Sequence, residues 1–439
     1  MIQKASQTPL RLLVPLALIL ISNRDALAVI RYWDGSASTY WDNAANWHDP
    51  NGVGGTPDAN DDAMIVDGAY NPQILSGEIV SCESMEIGGG KTVWQKGGSA
   101  TTRISGITVG YYYSGEPNSP RTGRYDLDVR ARLTTKGGTT VGQISQGTGT
   151  FINDRAIHRI LVGEVYGSAA NLYIGRNSGC TGRYTMSGDN EYDPNDPNSY
   201  ELSVGGNAYI GYSGSGTFEH LGEADGAESV ISGGLFVGYD SGSDGSYTLT
   251  GTGNLTVGSH TYVGRKGQGS FTHGGSATHD YVGQLVLGGD PNDPNAIGSG
   301  TYVFSGNGAV DPNAGADPNT SSGIKVGCYN GSGRFEWKAD TARIYLHGKT
   351  MTVGGKGTLA MGYDFALEDL LAGELFEDPN GHLDISAGVL EIIDGATGTL
   401  GAGESAVLGS LTVTNGSLAL ASGASSIRLG KALVLDANS

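Results

Sequence analysis

The chain has 439 residues, of which 74 are glycine and only 14 proline, and 38% are hydrophobic. Glycine does not fall at every third position, which excludes collagen, and the apolar content is enough to bury a core, which excludes wholesale disorder. With 26 lysines and arginines against 45 aspartates and glutamates, the net charge is −19. A surface of that sign repels nucleic acid and anionic lipid, so we expect no nucleic-acid partner. No apolar stretch is long enough for a membrane helix, so we expect no membrane insertion by this chain.

The first 28 residues predict an export signal. A basic start precedes the apolar run Leu12–Ile21, which is too short to span a bilayer. Ala26–Ala28 then reads as an A-x-A cleavage site. We expect residues 1–28 to be removed and the protein to be exported, to the cell surface or the extracellular medium.

Residues 29–66 are expected to form a tryptophan-rich cap. Trp33, Trp41 and Trp47 crowd together before an aspartate-rich turn and the strand-like Ala63–Val66. A stack of coils needs its first coil covered, because an open strand edge recruits other chains. We expect the tryptophan rings to close that end of the core.

An aliphatic residue followed by glycine recurs along the chain and marks a repeat. The shortest unit, Gly245–Gln268, reads as three strands: Ser246–Thr250, Asn254–Val257 and Thr261–Val263. A unit this short cannot bury its own apolar face, whereas stacked copies can, with glycine supplying the positive φ at a corner. The prediction is an all-β fold, a right-handed parallel β-helix (β-solenoid) with three short strands per coil, over residues 67–439. The aliphatic residues expected to point inward are Val109, Ile174, Ile210, Val237 and Val263.

Two further inward columns follow from the alternation of side chains along each strand. His220 and His273 occupy matching places in the second column, so we interpret them as core histidines and not as a catalytic pair. The first column holds Tyr125, Phe151, Tyr184, Phe218, Tyr247, Phe271, Tyr302 and Phe335, and the second, two residues later, holds Leu127, Asn153, Met186, His220, Leu249, His273, Phe304 and Trp337.

An outward column of rings is the candidate ligand-binding site. Tyr173, Tyr209, Phe236 and Tyr262 each directly precede an inward aliphatic residue, so they are expected to face solvent on successive coils. Exposed rings in a row fit the apolar faces of a repeating glycan. The alternative is that they only stabilise the sheet through cross-strand pairing.

The tripeptide Asp-Pro-Asn recurs in inserts that predict corner loops, because aspartate starts turns, proline fixes φ and asparagine tolerates left-handed geometry. Asp189, Glu191, Asp193 and Asp196 in one insert raise the question of Ca²⁺, but their spacing matches neither the EF-hand nor the glycine-aspartate calcium repeat. No metal site and no cofactor is predicted. Residues 367–378 are expected to be a short helical insert.

Cys82, Cys180 and Cys328 lie far apart and lack the C-x-x-C spacing of a metal site. In an oxidising compartment one disulfide is possible, but the sequence cannot pair three cysteines. Isolated buried thiols are the other reading, and both stay open.

Two stretches carry a family resemblance. The spaced tryptophans, proline and aspartate of residues 32–66 resemble the start of many autotransporter-type surface proteins. The [VI]-G-x-x-G-x-G-x-[FYL] units of residues 107–360 resemble the short repeat of type V secretion passengers and PEP-CTERM-sorted proteins. The resemblance implies an exported parallel β-helix that is displayed at the cell surface of a Gram-negative type of envelope or released. The final residues, LGKALVLDANS, show neither a barrel strand pattern nor a sorting tail, so the means of attachment stays open.

Three classes of function fit such a chain: a structural or adhesive surface rod, a carbohydrate-binding module, and a β-helical polysaccharide lyase or hydrolase. A lyase needs several carboxylates on adjacent strands and a lysine or arginine base. The predicted strands carry mainly threonine, tyrosine, valine and glycine instead. We therefore expect a non-catalytic adhesive rod without catalytic residues, whose partners are extracellular polysaccharide or other surface components.

Overall fold

The structure is a computed structural model that describes residues 29–97, 101–111, 121–161, 170–187, 202–222, 228–312, 323–372, 374–376, 382–385, 387–394, 396–402, 404–408, 410–422 and 426–435. The expected signal peptide lies outside these residues. So does the acidic insert with Asp189, Glu191, Asp193 and Asp196.

The chain is a parallel β-solenoid in which each coil contributes one strand to each of three faces, as predicted. The first face is a sheet of 14 strands, each paired in parallel with its equivalent in the next coil. Its strands are Gln73–Ile74, Lys91–Gln95, Thr122–Leu127, Thr148–Asp154, Thr181–Ser187, Ser215–Gly222, Asp244–Gly251, Gln268–His273, Ser299–Phe304, Ser332–Trp337, Gly357–Met361, Val389–Ile392, Ser410–Val413 and Leu433–Leu435.

The second and third faces belong to one 22-stranded sheet, because Ile79–Gly88 and Thr101–Tyr111 run around the corner and pair on both faces. The other strands of the second face are Arg132–Thr135, Ile157–Ile160, Leu202–Val204, Glu228–Ile231, Asn254–Val257, Thr278–Tyr281, Ala309–Pro312 and Arg343–Ile344. Those of the third face are Ile30–Trp33, Asp62–Ile65, Thr139–Val141, Leu172–Ile174, Ala208–Ile210, Leu235–Val237, Thr261–Val263, Gln284–Leu287, Gly323–Val326, Thr350–Val353 and His382–Asp384.

Two smaller parallel sheets continue the coils towards the carboxyl end. One holds Phe365–Ala366, Thr397–Leu400 and Ser417–Leu420, and the other holds Ser405–Leu408 and Ser426–Leu429. A helix at Leu367–Ala372 begins where the helical insert was predicted. Within the described residues, no helix has the length and apolar character needed to cross a membrane.

The interior is filled by columns of stacked side chains. The five aliphatic residues predicted to face inward are fully buried, and so are both further columns. Ring centroids along the inner aromatic column, from Tyr125 to Phe335, are 4.7 to 5.2 Å apart with nearly parallel planes. That spacing equals the rise of about 4.8 Å between paired strands, so the hydrogen-bond ladder itself sets the stacking distance.

The core also contains histidines. His220 and His273 are fully buried and separated by Leu249 in the same column, so they do not form a pair. His273 Nε2 lies 2.8 Å from the carbonyl oxygen of Ala277 and therefore donates its proton there, while Nδ1 accepts from the hydroxyl of Tyr302 at 2.8 Å. Burial lowers the pKa of His273 to about 4, so the ring is neutral at pH 7.

Tryptophans cover the first coils. Trp33, Trp41 and Trp47 are almost completely buried, pack edge to face, and belong to the continuous core of the rod. The short strand Trp47–His48 pairs antiparallel with Ile30–Trp33, and the backbone N–H of Trp41 donates to the carbonyl of Gln73 at 3.0 Å. This segment therefore occupies strand edges on two faces at the amino-terminal end.

All three cysteines are buried and unpaired. Of the two alternatives that the sequence left open, isolated thiols are what the structure shows. Burial raises the pKa of Cys82 above its usual range.

Glycine is required where the third face turns into the first. Gly211 has φ +70°, and a Cβ there would lie 2.4 Å from the carbonyl oxygen of Asp244 in the next coil. Gly216, in the strand that follows, would place a Cβ 2.2 Å from the backbone nitrogen of Gly211. Backbone therefore fills the space that a side chain would need on both sides of the corner.

This close approach predicts unequal effects of two glycine substitutions. Gly242 has φ +79°, but no described atom lies within 4 Å of the place that a Cβ would take, so Gly242→Ala tests the left-handed backbone alone and should cost about 1–2 kcal/mol. Gly211→Ala adds the collision with Asp244 and should cost about 1–3 kcal/mol more. Urea unfolding followed by circular dichroism measures both. Equal losses would contradict a packed corner.

Candidate functional site

The four rings predicted to face outward form one stack, called the outer ladder here. Tyr173, Tyr209, Phe236 and Tyr262 are direct register partners on the third face. Successive ring centroids are 5.0, 4.9 and 5.3 Å apart, and the planes differ by 11° or less. The structure therefore brings all four residues together, outside the core.

Stacking limits what the outer ladder can bind. Each inner ring has another ring against both of its faces at about 5 Å. A sugar ring cannot enter a gap of that size, because the gap is already at van der Waals contact. Only ring edges remain for a ligand, because the guanidinium of Arg176 lies over the ring of Tyr173 at the end of the stack. The inner rings therefore stabilise neighbouring strands.

The expectation that all four rings face solvent is wrong for Tyr262. It is 6% exposed and packs with Phe236, Val286 and Cys328 in a small apolar cluster of its own. Its register partner in the next coil, Val286, and Cys328 pack against it, and Asp290 of the neighbouring Asp-Pro-Asn insert hydrogen-bonds to it. Burial and Asp290 together raise the pKa of Tyr262 to about 12.

The same insert is tied down by ion pairs. Asp290 accepts from Nε of Arg265 at 2.8 Å, and Asp293 lies 2.9 Å from Nζ of Lys266. Each aspartate also accepts the backbone N–H two residues later, as expected for the start of a turn. These carboxylates are thus used to hold a loop against the rod.

A second row of side chains runs beside the outer ladder, at the position that follows each corner glycine. It consists of Arg176, Tyr212, Tyr239 and Arg265. Tyr212 and Tyr239 stack on each other at 4.9 Å and meet the ladder rings edge-on at 5.2 to 5.5 Å. At each end of this row a guanidinium group lies over an aromatic ring. The guanidinium carbon of Arg176 is 4.7 Å from the ring centre of Tyr173, and that of Arg265 is 4.8 Å from the ring centre of Tyr239.

Asparagines orient the tyrosines of the ladder. Asn171 donates from Nδ2 to the hydroxyl of Tyr173, and Asn207 donates likewise to Tyr209, both at 3.0 Å. The Oδ1 of Asn171 accepts the backbone N–H of Asn207 at 2.8 Å, which links the two coils. The sequence pattern N-x-Y at both places is a signal that the sequence analysis missed.

A groove opens where the ladder ends. The outward positions before Tyr173 hold Thr140, Thr108 and then Glu86 on successive coils. Because threonine is small, a depression of about 310 Å³ forms, with Tyr173 and Arg176 at one end and Glu86 at the other. This volume lies at the lower end of the roughly 300–1,000 Å³ typical of small-ligand sites.

Glu86 is the strongest titratable candidate in the groove. Burial, together with the negative charge of nearby Asp62, raises the pKa of Glu86 to about 7, while a hydrogen bond to Tyr111 acts in the opposite direction. The carboxyl group therefore changes its charge near neutral pH. Sequence reasoning did not select Glu86, although alternation along Ile79–Gly88 places it outward.

The chemistry available in the groove is recognition of polar ligands. Among the residues that the structure describes, Glu86 is the only carboxylate that lines it, whereas glycoside hydrolysis ordinarily uses two. Asp62, on the adjacent strand, accepts a hydrogen bond from the hydroxyl of Ser84 at 2.6 Å. In the described part of the chain, no group of three or more histidine, cysteine, aspartate or glutamate side chains is placed to hold a metal ion.

No protein-family model, no curated protein and no solved structure matches this chain. The resemblance to autotransporter passengers and PEP-CTERM-sorted proteins therefore stays a prediction. What the protein does has to follow from the geometry of its own residues.

The stacking predicts which ladder residue is the more important for stability. Tyr209 has a ring on both faces and Tyr173 on one, so Tyr209→Ala should lower the free energy of unfolding by about 1 kcal/mol more than Tyr173→Ala. Tyr209→Phe retains the stack and tests the hydroxyl separately. Tyr70→Ala, at a 51% exposed ring, is the control and should change stability by less than about 0.5 kcal/mol. Similar losses for all three alanine variants would contradict a structural ladder.

Proposed function

We propose that this protein is an exported, non-catalytic rod that serves a structural or adhesive role at the cell surface or in the extracellular medium. The observation that carries the proposal is the long stack of in-register coils, with 14 strands on one face and a filled interior. With about 4.8 Å per coil, the first face alone spans about 60 Å. Such a body supplies length and a repetitive outer surface.

The distribution of reactive groups also supports a non-catalytic role. Catalysis needs acids, bases or nucleophiles that converge on one reacting atom. His158, His220, His273 and His279 are sealed in the core, and the three thiols are buried. Within the described residues, Glu86 lines its groove without a second carboxylate. A carbohydrate-active enzyme would need a partner for Glu86 within reach.

Export and inactivity are tested together. Expression of residues 1–439 in a Gram-negative host should yield protein outside the cytoplasm that begins at Val29, as read by mass spectrometry, because cleavage is expected after Ala28. The purified rod should release no reducing or unsaturated ends from acidic and neutral polysaccharides. A cytoplasmic product that retains residues 1–28 would overturn export. Polysaccharide cleavage by the rod that disappears in Glu86→Gln would overturn the non-catalytic role.

Carbohydrate binding is the second candidate, and the groove beside Tyr173 is the observation that favours it. The ring edge of Tyr173, the guanidinium of Arg176 that lies over this ring, the amide of Asn171 and the carboxyl of Glu86 surround one depression. This combination of an aromatic surface with a few convergent polar groups is what sugar hydroxyls and C–H faces require.

The raised pKa of Glu86 predicts pH-dependent binding. An ionised carboxylate accepts a hydrogen bond from a sugar hydroxyl more strongly than a protonated one, so affinity should rise from about pH 6 to about pH 8. Glu86→Gln should remove that pH dependence, and Tyr173→Ala should weaken binding about tenfold at every pH. Isothermal titration against a polysaccharide panel measures both. Thr352→Ala, further along the same face, is the control, and unchanged binding in Tyr173→Ala would exclude this site.

A further inference from the structure

One tryptophan differs from all the others. The chain has five, and Trp33, Trp41, Trp47 and Trp337 are at most 3% exposed. Trp94 instead lies on the outside of the first face and is partly exposed. It opposes Asp126 in the next coil, and Asp126 opposes Ile152 in the one after. A large indole is costly to leave in water, so its outward position calls for an explanation.

The indole is held in one orientation. Its Nε1–H donates to Oδ2 of Asp126 at 2.9 Å, and the other carboxylate oxygen of Asp126 accepts from Nε of Arg124 at 2.6 Å. These contacts fix the ring through a charged pair on the adjacent strand. A ring fixed before binding loses little conformational entropy when a ligand arrives.

A groove of about 370 Å³ lies beside this ring. It forms because the shorter Asp126 stands between the larger Trp94 and Ile152 in the outward column. Lys96, Asp128 and Asp154 carry the polar groups that line it. The groove thus combines an apolar wall with hydrogen-bonding groups, and it lies on a different face from the depression at Tyr173.

The charge of the groove selects against anions. Its described lining contains two cations, Lys96 and Arg124, and three carboxylates, Asp126, Asp128 and Asp154, which gives a net −1. The whole chain carries −19. An acidic polysaccharide would be repelled by both, whereas an uncharged ligand rich in hydroxyl groups would not.

We propose that the Trp94 groove is a binding site for a neutral pyranose of a polysaccharide. The C–H face of the sugar packs on the indole, and its hydroxyl groups bond to Asp128, Asp154 and Lys96. This function goes beyond a structural rod and does not depend on the groove at Tyr173. It supplies an adhesive contact on the first face, close to the capped end.

Iodide quenching tests the proposal, because the four other tryptophans are buried and the iodide-accessible emission belongs to Trp94. Hexasaccharides of β-1,4-linked glucose and of β-1,4-linked mannose are titrated onto the intact protein, with polygalacturonate as the acidic comparison. At least one neutral hexasaccharide should protect the emission from iodide, and isothermal titration should give the same affinity. Protection by polygalacturonate alone, or by no saccharide at millimolar concentration, would overturn the proposal.

Variants separate this site from the other one. Trp94→Ala should weaken neutral hexasaccharide binding at least about tenfold by calorimetry, and Trp94→Phe, which retains an apolar ring, should weaken it less. The outward Thr248→Ala, which lies outside both grooves, should leave it unchanged. Melting curves confirm that each variant is folded. Undiminished binding in Trp94→Ala would sink this site, while loss in Tyr173→Ala alone would place the sugar in the other groove.

Discussion

The contact on which the rod depends is the approach of one coil's backbone to the next at the corner between the third and first faces. The carbonyl oxygen of Asp244 occupies the place where Gly211 would otherwise carry a Cβ. Because the corner tolerates only this fit, successive coils cannot slip along the strands relative to one another. Every other regularity follows from that register, including the inner aromatic column at 4.7 to 5.2 Å and the outer ladder at about 5 Å.

Register also explains why so much of the fold can be predicted from sequence. Once coils stack without slipping, the pattern within one coil specifies its neighbours as well. The strands predicted for Gly245–Gln268 match Asp244–Gly251, Asn254–Val257 and Thr261–Val263. Alternation likewise placed His220 and His273 in the core, where they are found. Residues were assigned to faces correctly because the assignment needs only a period of two within each strand.

The exposure of outward side chains could not be predicted in the same way. It depends on the sizes of the side chains in neighbouring coils and on the inserts. Alternation placed Tyr262 outward, but Val286 and Cys328 of later coils pack against it and Asp290 of an insert hydrogen-bonds to it. The groove at Glu86 exists because two threonines follow in register, and the one at Trp94 because Asp126 is shorter than its neighbours. Both grooves are formed by side chains from several coils, so no sequence motif within one coil predicts them. Each becomes visible only after the coils are aligned.

The direction of the hydrogen bonds between coils has a mechanical consequence. They run along the rod, and in the three faces each strand pairs mainly with its equivalents in the adjoining coils. Tension applied to the two ends therefore loads one interface after another, so coils peel off singly and each step absorbs energy. A fold loaded in shear would hold all its bonds until they broke together. A rod built this way yields gradually under load.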